Sequence, residues 1–149
     1  MALWAARAFF EHGLKALVVW DLESQFKRKD YIETRDALNK DFQTNIIEVA
    51  IDVTDPASVE DAVKKTTYLL ERIDILCCFA GVVGCQHVLD IKLEEWKRVM
   101  DVNATGTFLC SQAVARQMAS QSPPGGSIVH ISCTSTTFPL RDSEKYANE

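Results

Sequence analysis

Short apolar runs alternate with longer amphipathic stretches along most of the chain. The runs at residues 14–20, 46–51, 73–80 and 127–132 have the length and composition of strands buried on both faces of a sheet. Between them, apolar positions recur every three or four residues and predict helices over residues 3–12, 31–42 and 94–118, and one that starts at Asp55-Pro56. Because helices that alternate with short strands require crossover connections, the pattern predicts an α/β fold with an open, doubly wound parallel sheet.

Ligands of such sheets bind outside the carboxyl ends of the strands. In this chain those ends carry Asp21, Asp52-Val53, Ala80-Gly81 and Ser132-Cys133. An acid such as Asp21 is where a dinucleotide fold binds the ribose hydroxyls, although a plain polar strand end would look the same. Asn103 stands on the inward face of the predicted long helix, and because an amide is a poor helix former we expect it to have a specific partner.

Length, composition and charge narrow the classes of function. The 149 residues contain no repeat or low-complexity tract, and we expect one domain over residues 1–149. With 16 Lys and Arg against 21 Asp and Glu the net charge is −5, and the only cationic cluster is Lys27-Arg28-Lys29, so no nucleic acid is expected as a partner. No window approaches the roughly 20 apolar residues of a membrane span, and a cytoplasmic protein is expected.

The cysteines predict a reduced core. They number five, which is odd, and they lie in apolar segments, unlike a disulfide framework. A zinc site at Cys77, Cys78 and Cys85 would need a fourth ligand, for which His87 alone is a poor candidate, so no metal is expected.

Five motifs follow one another in a characteristic order over nearly the whole chain. They are Asp52-Val53-Thr54, Cys78-Phe79-Ala80-Gly81, Asp101-Val102-Asn103, Gly126-Ser127-Ile128-Val129 and Tyr146. Their order and spacing resemble the short-chain dehydrogenase/reductase family. The resemblance implies a Rossmann-like fold and an NAD(P)-dependent oxidoreductase that interconverts an alcohol and a ketone by hydride transfer. The segment from Cys78 to Val82 is similar to that of the polyol dehydrogenases in the family.

The resemblance implies a set of cofactor-binding residues. Asp21 matches the acid that accepts from the adenosine ribose hydroxyls and repels a 2′-phosphate, so NAD is expected rather than NADP, a preference that the nearby cationic cluster could reduce. Asp52 and Val53 match the pair that borders the adenine. Ala80-Gly81 matches the turn where the backbone passes close to the cofactor, for which a residue without a side chain is suited.

The resemblance also implies three catalytic positions. Asn103 matches the asparagine that anchors a proton-relay water, and Tyr146 matches the acid/base that exchanges a proton with the substrate oxygen. The serine of the family, thirteen residues before the tyrosine, is replaced by Cys133. Because a thiol is a weak donor, polarisation of the substrate carbonyl should weaken by about 1–3 kcal/mol unless Ser132 or Ser135 takes over.

Two features of the family pattern would fall beyond the ends of the sequence. The lysine that lowers the pKa of the tyrosine would follow Glu149, and the first strand with its Gly-rich phosphate turn would precede Met1. That strand would lie between the strands that end at Asp21 and Gly81, and further strands would follow Tyr146. We therefore expect the 149 residues alone to be inactive, and to form a homo-oligomer only together with a C-terminal part.

Two alternatives remain open. A non-catalytic pseudoenzyme or interaction fragment of the same fold would bind the cofactor without turnover, or bind none. An unrelated flavodoxin-like binding module would need no common register among Asp52, Asn103 and Tyr146.

The resemblance also concerns the central strands. In either enzyme or pseudoenzyme, Cys78 and Phe79 replace two asparagines that tie the central strands of family members together through side-chain hydrogen bonds, so we expect that polar tie to be absent.

Overall fold

Helices and strands alternate along the chain, as the sequence pattern predicts. The computed structural model describes residues 2–84 and 89–133. Its helices are α1 (Ala2–Glu11), α2 (Glu23–Phe26), α3 (Lys29–Phe42), α4 (Pro56–Leu70), α5 (Leu93–Met100) and α6 (Thr107–Ser120), with a π-helix (Asp101–Gly106) between the last two. The strands are β1 (Val18–Asp21), β2 (Ile47–Ala50), β3 (Ile75–Cys78) and β4 (Ser127–His130).

The described strands form two parallel sheets of two strands each. β1 pairs with β2, with Asp21 opposite Ala50. β3 pairs with β4, with Cys78 opposite His130. No ladder joins β1 to β3 within the described residues. This interval is the place where the resemblance to the short-chain dehydrogenase/reductase family puts a further central strand.

Helices α4 and α6 form a layer that both sheets share. Trp20 of β1 and Leu76 of β3 pack against one cluster of buried residues, which comprises Val63, Ile73, Val114 and Met118. The indole N–H of Trp20 also donates to the Thr66 hydroxyl of α4, at 3.0 Å. A second cluster beneath β2 continues this layer and comprises Val49, Ile51, Val59, Ala62 and Cys110.

Helices α1 and α3 cover the opposite face of the first sheet. Val19 of β1 packs there against a cluster of buried residues, which comprises Ala6, Phe10, Leu38 and Ile46. Because successive strand residues point to opposite faces, Val18 and Trp20 face α4 and α6 while Val19 faces α1 and α3. The β1–β2 sheet is therefore the middle of three layers.

Some element boundaries differ from the prediction. The first strand starts at Val18 and not at Leu14, because Leu14 still closes the end of α1, its N–H donating to the Phe9 carbonyl at 3.0 Å. The short helix α2 was not predicted, and six residues of π-helix divide the helix predicted over residues 94–118. The helix start at Asp55-Pro56 is confirmed, since the Asp55 carboxylate accepts from the Ala57 N–H at 3.0 Å.

Candidate functional site

Asp21 and Asp52 lie side by side at the carboxyl end of the first sheet. Asp21 ends β1, and its main-chain carbonyl accepts from the N–H of Ile51, the residue before Asp52, at 2.9 Å. Both side chains are exposed. Asp21 Oδ1 accepts from the Leu22 N–H at 2.8 Å. The structure thus places two carboxylates at one end of the sheet, as the sequence predicts.

The carboxylate of Asp52 is oriented by its own turn. Oδ1 accepts from the N–H of Thr54 at 2.9 Å and from its hydroxyl at 2.7 Å. These hydrogen bonds hold the pKa of Asp52 below its usual value, so the group is ionised at neutral pH. Within the described part of the chain, Oδ2 accepts no hydrogen bond and is left to face solvent or a ligand.

Val53 brings the end of β2 into contact with the helix layer. It packs against the cluster beneath β2, and Gly106, the last residue of the π-helix, lies directly against it. A Cβ added at Gly106 would come within 2.7 Å of Val53 Cγ2. Only glycine permits this approach, so Gly106 sets the distance between Asp52-Val53 and the segment that carries Asn103.

The side chain of Asn103 holds the turn that follows β3. Its Oδ1 accepts from the Val82 N–H at 2.8 Å, and its Nδ2 donates to the Val82 carbonyl at 2.9 Å. The expected specific partner is therefore the backbone just beyond Ala80-Gly81. The expected inward orientation is wrong: Asn103 is exposed, because the π-helix turns it toward the strand end rather than into the core.

The turn at Ala80-Gly81 is open to solvent. Both residues are exposed, and a Cβ added at Gly81 would meet Asn103 Oδ1 at 3.6 Å, an ordinary contact. Among the described residues, no atom therefore crowds this side of the turn. The main-chain carbonyl of Asn103 accepts from the Thr107 hydroxyl at 2.8 Å.

Cys133 lies just beyond β4 and is exposed. The expectation that every cysteine is a core residue is wrong for this one, because the chain leaves the sheet after His130, three residues before it. Cys110 is buried, and Cys77 and Cys78 are half-buried. Burial raises the pKa of the Cys110 thiol to about 11 and also raises those of Cys77 and Cys78.

A polar link joins β3, α6 and β4 through Ser111. The Ser111 hydroxyl donates to the Thr107 carbonyl at 2.7 Å, and it lies 2.7 Å from His130 Nε2 and 4.0 Å from Cys78 Sγ. Since a hydroxyl has one hydrogen, the ring N–H and the thiol are the donors to Ser111. Cys78, at one of the two asparagine positions of the family pattern, takes part in this link. The link could not be predicted from sequence because it joins three elements that are distant in the chain.

Some residues of the predicted catalytic site, and of the zinc site considered at Cys77, Cys78 and Cys85, lie outside the described residues. They are Tyr146, Ser135, Cys85 and His87. Across residues 2–84 and 89–133, no group of three or more His, Cys, Asp or Glu is arranged to hold a metal ion. No helix in the same ranges is long and apolar enough to cross a membrane.

Three supporting residues were not assigned a role by sequence reasoning. Thr54 orients Asp52, Gly106 permits the contact with Val53, and Val82 provides the backbone partner of Asn103. The spacing Asp-x-Thr is a signal that can be recognised, because an aspartate commonly accepts from the backbone two residues on. No local signal identifies Val82, since it acts through its main chain.

Comparison with known proteins agrees with this geometry. The family model for short chain dehydrogenase matches residues 2–148. The chain therefore belongs to the short-chain dehydrogenase family, a family of oxidoreductases that typically use NAD(P).

Individual relatives show the same family. An uncharacterised oxidoreductase of Thermotoga maritima is 32% identical over 143 residues, which cover 95% of this chain and 52% of that protein. A D-threitol dehydrogenase of Mycolicibacterium smegmatis is 35% identical over 97 residues, 65% of this chain and 36% of that protein. The crystal structure of a short-chain type dehydrogenase/reductase from Mycobacterium marinum superposes with a TM-score of 0.75 at 31% identity, covering 85% of this chain and 49% of the other.

The match also shows what share of a relative the chain represents. The first relatives and structures are covered to about half of their own length. The described strands and helices reproduce the Rossmann-like α/β arrangement of these structures.

Proposed function

We propose that residues 1–149 form part of one NAD(P)-binding domain of an oxidoreductase that interconverts an alcohol and a ketone. Supporting this are the family membership and, above all, the two exposed carboxylates at adjoining strand ends. A small-molecule alcohol or ketone as substrate, and a cytoplasmic location, belong to the same proposal. The similarity to a D-threitol dehydrogenase supports a polyol as the substrate class.

The groups at the strand ends have the chemistry that an adenosine needs. Asp21 and Asp52 each turn one carboxylate oxygen toward a backbone N–H, which leaves the other to accept from a ribose hydroxyl or an adenine amine. Val53 would flank the adenine, and the open turn at Ala80-Gly81 would lie against the cofactor. When bound, the nicotinamide supplies the hydride chemistry.

The proposed catalytic residues are Asn103, Cys133 and Tyr146. Tyr146 would take the proton of the alcohol, and Cys133 would hydrogen-bond the same substrate oxygen. Asn103 would anchor a water molecule for proton release through its main-chain carbonyl. Its side chain would fix that carbonyl through the two hydrogen bonds to Val82, which are 2.8 and 2.9 Å long.

We propose NAD as the preferred cofactor, because a 2′-phosphate would stand beside the Asp21 carboxylate. Two like charges about 4 Å apart repel by about 1 kcal/mol in water, which corresponds to about fivefold weaker binding of NADP. Titration of both nucleotides should show this difference, and Asp21→Ala should reduce it, whereas Asp61→Ala on α4 should not. Equal affinities in the unmodified chain would contradict the assignment of Asp21.

Turnover is tested in a chimera in which residues 1–149 replace the matching part of the Mycobacterium marinum relative. Tyr146→Phe should abolish alcohol oxidation, and Cys133→Ser should raise it about tenfold or more because a hydroxyl is the stronger donor. Oxidation that survives Tyr146→Phe would show that the acid/base lies elsewhere. Nucleotide binding by a chimera that never turns over would favour the alternative, a non-catalytic pseudoenzyme or interaction module.

A further inference from the structure

Three consecutive cations, Lys27-Arg28-Lys29, follow the Asp21 strand end and are held in ion pairs. Lys27 Nζ lies 2.7 Å from Glu23 Oε1, and Lys29 Nζ lies 3.7 Å from a carboxylate oxygen one turn further along α3. Sequence alone suggests that such a cluster could attract a 2′-phosphate next to Asp21. The structure shows instead that its charges are already engaged.

Arg28 is engaged by more hydrogen bonds than either lysine. Its Nε donates to Asp30 Oδ1 at 3.0 Å and its Nη2 to Asp30 Oδ2 at 2.7 Å, and Nη1 lies 3.4 Å from Gln25 Oε1. A two-bond contact between a guanidinium and a carboxylate fixes orientation as well as distance. The guanidinium of Arg28 therefore points at Asp30.

Arg28 follows closely on the Asp21 strand end. Leu22, the single turn of α2 (Glu23–Phe26) and Lys27 are all that separate the two residues, and four helical residues rise by only about 6 Å. The guanidinium therefore stays near the end of β1, and in agreement with this the Asp30 carboxylate raises the pKa of Arg28 most and the Asp21 carboxylate adds to that shift. Asp30 stays in place without Arg28, because it lies in the first turn of α3, where the helix dipole favours a carboxylate.

We infer that Asp30 is a second determinant of cofactor choice, acting through Arg28. By holding the guanidinium, Asp30 withholds the cation that could otherwise pair with a phosphate on the ribose 2′-oxygen beside Asp21. The preference for the non-phosphorylated dinucleotide then has two sources. Asp21 repels the 2′-phosphate, and Asp30 occupies Arg28, the nearest cation that could pair with it. This inference rests on the proposed binding of adenosine at Asp21.

The size of the effect follows from the exposure of the pair. The two side chains are 59% and 68% exposed, and an exposed ion pair is weak enough to exchange partners. Asp30→Asn removes the competing carboxylate and one negative charge from the approach to the 2′-phosphate. We expect the variant to bind a 2′-phosphorylated adenosine about two- to fivefold more tightly relative to its non-phosphorylated counterpart.

The test uses the full 149-residue chain with two small probes, adenosine 5′-monophosphate and adenosine 2′,5′-bisphosphate. Both dissociation constants are measured by ligand-observed NMR titration at low salt, since screening weakens exposed charge contacts. The quantity compared is the ratio of the two constants in the unmodified chain and in Asp30→Asn. Asp41→Asn is the matched control, because it makes the same change on the same helix but releases Arg7, whose ion pair with Asp41 measures 2.7 Å.

Each outcome decides between the inference and the proposed function. A ratio that shifts toward the bisphosphate in Asp30→Asn, stays unchanged in Asp41→Asn and returns when Arg28→Gln is added supports the role of Asp30. An unchanged ratio in Asp30→Asn, with the monophosphate still bound, overturns the inference alone. Failure of the unmodified chain to bind either probe overturns the proposed function, and the role of Asp30 with it.

Discussion

The two sheets are built on the same helices but are covered differently. The β1–β2 sheet lies between two helix layers, so Val18 and Val19 both pack into a core. The β3–β4 sheet packs only its Leu76 and Ile128 face on the shared layer. On the other face, Ile75, Val129 and Ile131 are 44%, 45% and 50% exposed and belong to no core cluster of the described residues.

This difference separates the two halves of the proposed site. The carboxylates of Asp21 and Asp52 stand at the end of the sheet that is packed on both faces, where the backbone orients them. Asn103 and Cys133 stand at the end of the half-covered sheet and are both exposed. We infer that binding of the adenosine half of a cofactor depends least on residues outside the described ranges, and catalysis depends most on them.

The largest effect is expected at the strand edges between the two sheets. In a β-strand the N–H and C=O of one residue point to the same side, and the side alternates from residue to residue. The carbonyls of Asp74 and Cys78 accept from Ser127 and Ile131, so they point toward β4. The backbone groups of Ile75 and Cys77 therefore point away from β4, to the open edge of β3. Open edges of apolar strands are templates for pairing with other chains. We expect the chain to self-associate in size-exclusion chromatography, and Ile75→Lys to raise the concentration required about tenfold or more.

The Val129→Lys variant distinguishes pairing at the open strand edge from association through the exposed apolar face of the sheet. Val129 is as exposed as Ile75 and shares its apolar face, but its backbone groups point at β3 rather than at the open edge. A smaller effect of Val129→Lys identifies the edge as the cause. A monodisperse monomer with a sharp near-ultraviolet circular dichroism spectrum in the unmodified chain would instead mean that β1 and β3 close on one another.

A second effect, on the free energy of unfolding, is expected from truncating apolar side chains packed on the two sheets. Leu38 lies beneath the first sheet and is 1% exposed. Changing it to alanine should lower the free energy of unfolding by about 2–5 kcal/mol, because a cavity remains. Val129→Ala, on the exposed face of the second sheet, should cost less than about 1 kcal/mol. Urea unfolding with segment-resolved hydrogen exchange measures both, and equal costs would mean that the second sheet is covered on both faces.

The pattern of the sequence was sufficient to predict most helices and strands, but not the π-helix that interrupts one of them. The helix that starts at Asp55-Pro56 was expected to bury an apolar stripe of Val59, Ala62, Val63, Thr66, Leu70 and Ile73. The first four are buried in α4, whereas Leu70 is half-buried and Ile73 lies beyond the end of the helix. Its periodicity is local and repeats over four turns, so it needs no knowledge of the partner. The π-helix at Asp101–Gly106 could not be predicted in this way, because six residues are too few to shift the period of the apolar positions.

In the candidate site, too, features set by local sequence could be predicted, whereas contacts that depend on the folded structure could not. Asp21 and Asp52 could be placed from sequence, because a polar residue after a buried strand must emerge at the sheet end. The engagement of Arg28 by Asp30 could not be predicted, since two side chains separated by one residue can adopt many rotamers and only the folded α2–α3 corner selects one. Tyr146 remains a prediction from the family pattern.

The smallest effect concerns the turn that orients Asp52. Hydrogen bonds from Thr54 lower the pKa of Asp52 in the folded chain, so this contact adds stability above the unfolded pKa of about 3.9 and loses it as the pH falls through the lower folded value. Thr54→Val should therefore cost at most about 1 kcal/mol at pH 7, and the difference should shrink below about pH 4. Thr67→Val is the control, because its hydroxyl donates to the Val63 carbonyl at 2.9 Å, which does not titrate, so its cost should not change with pH. Urea unfolding of the three proteins from pH 7 to pH 3.5 measures the trend. A Thr54→Val cost that is constant over this range would show that the hydroxyl supports the turn without acting on the Asp52 carboxylate.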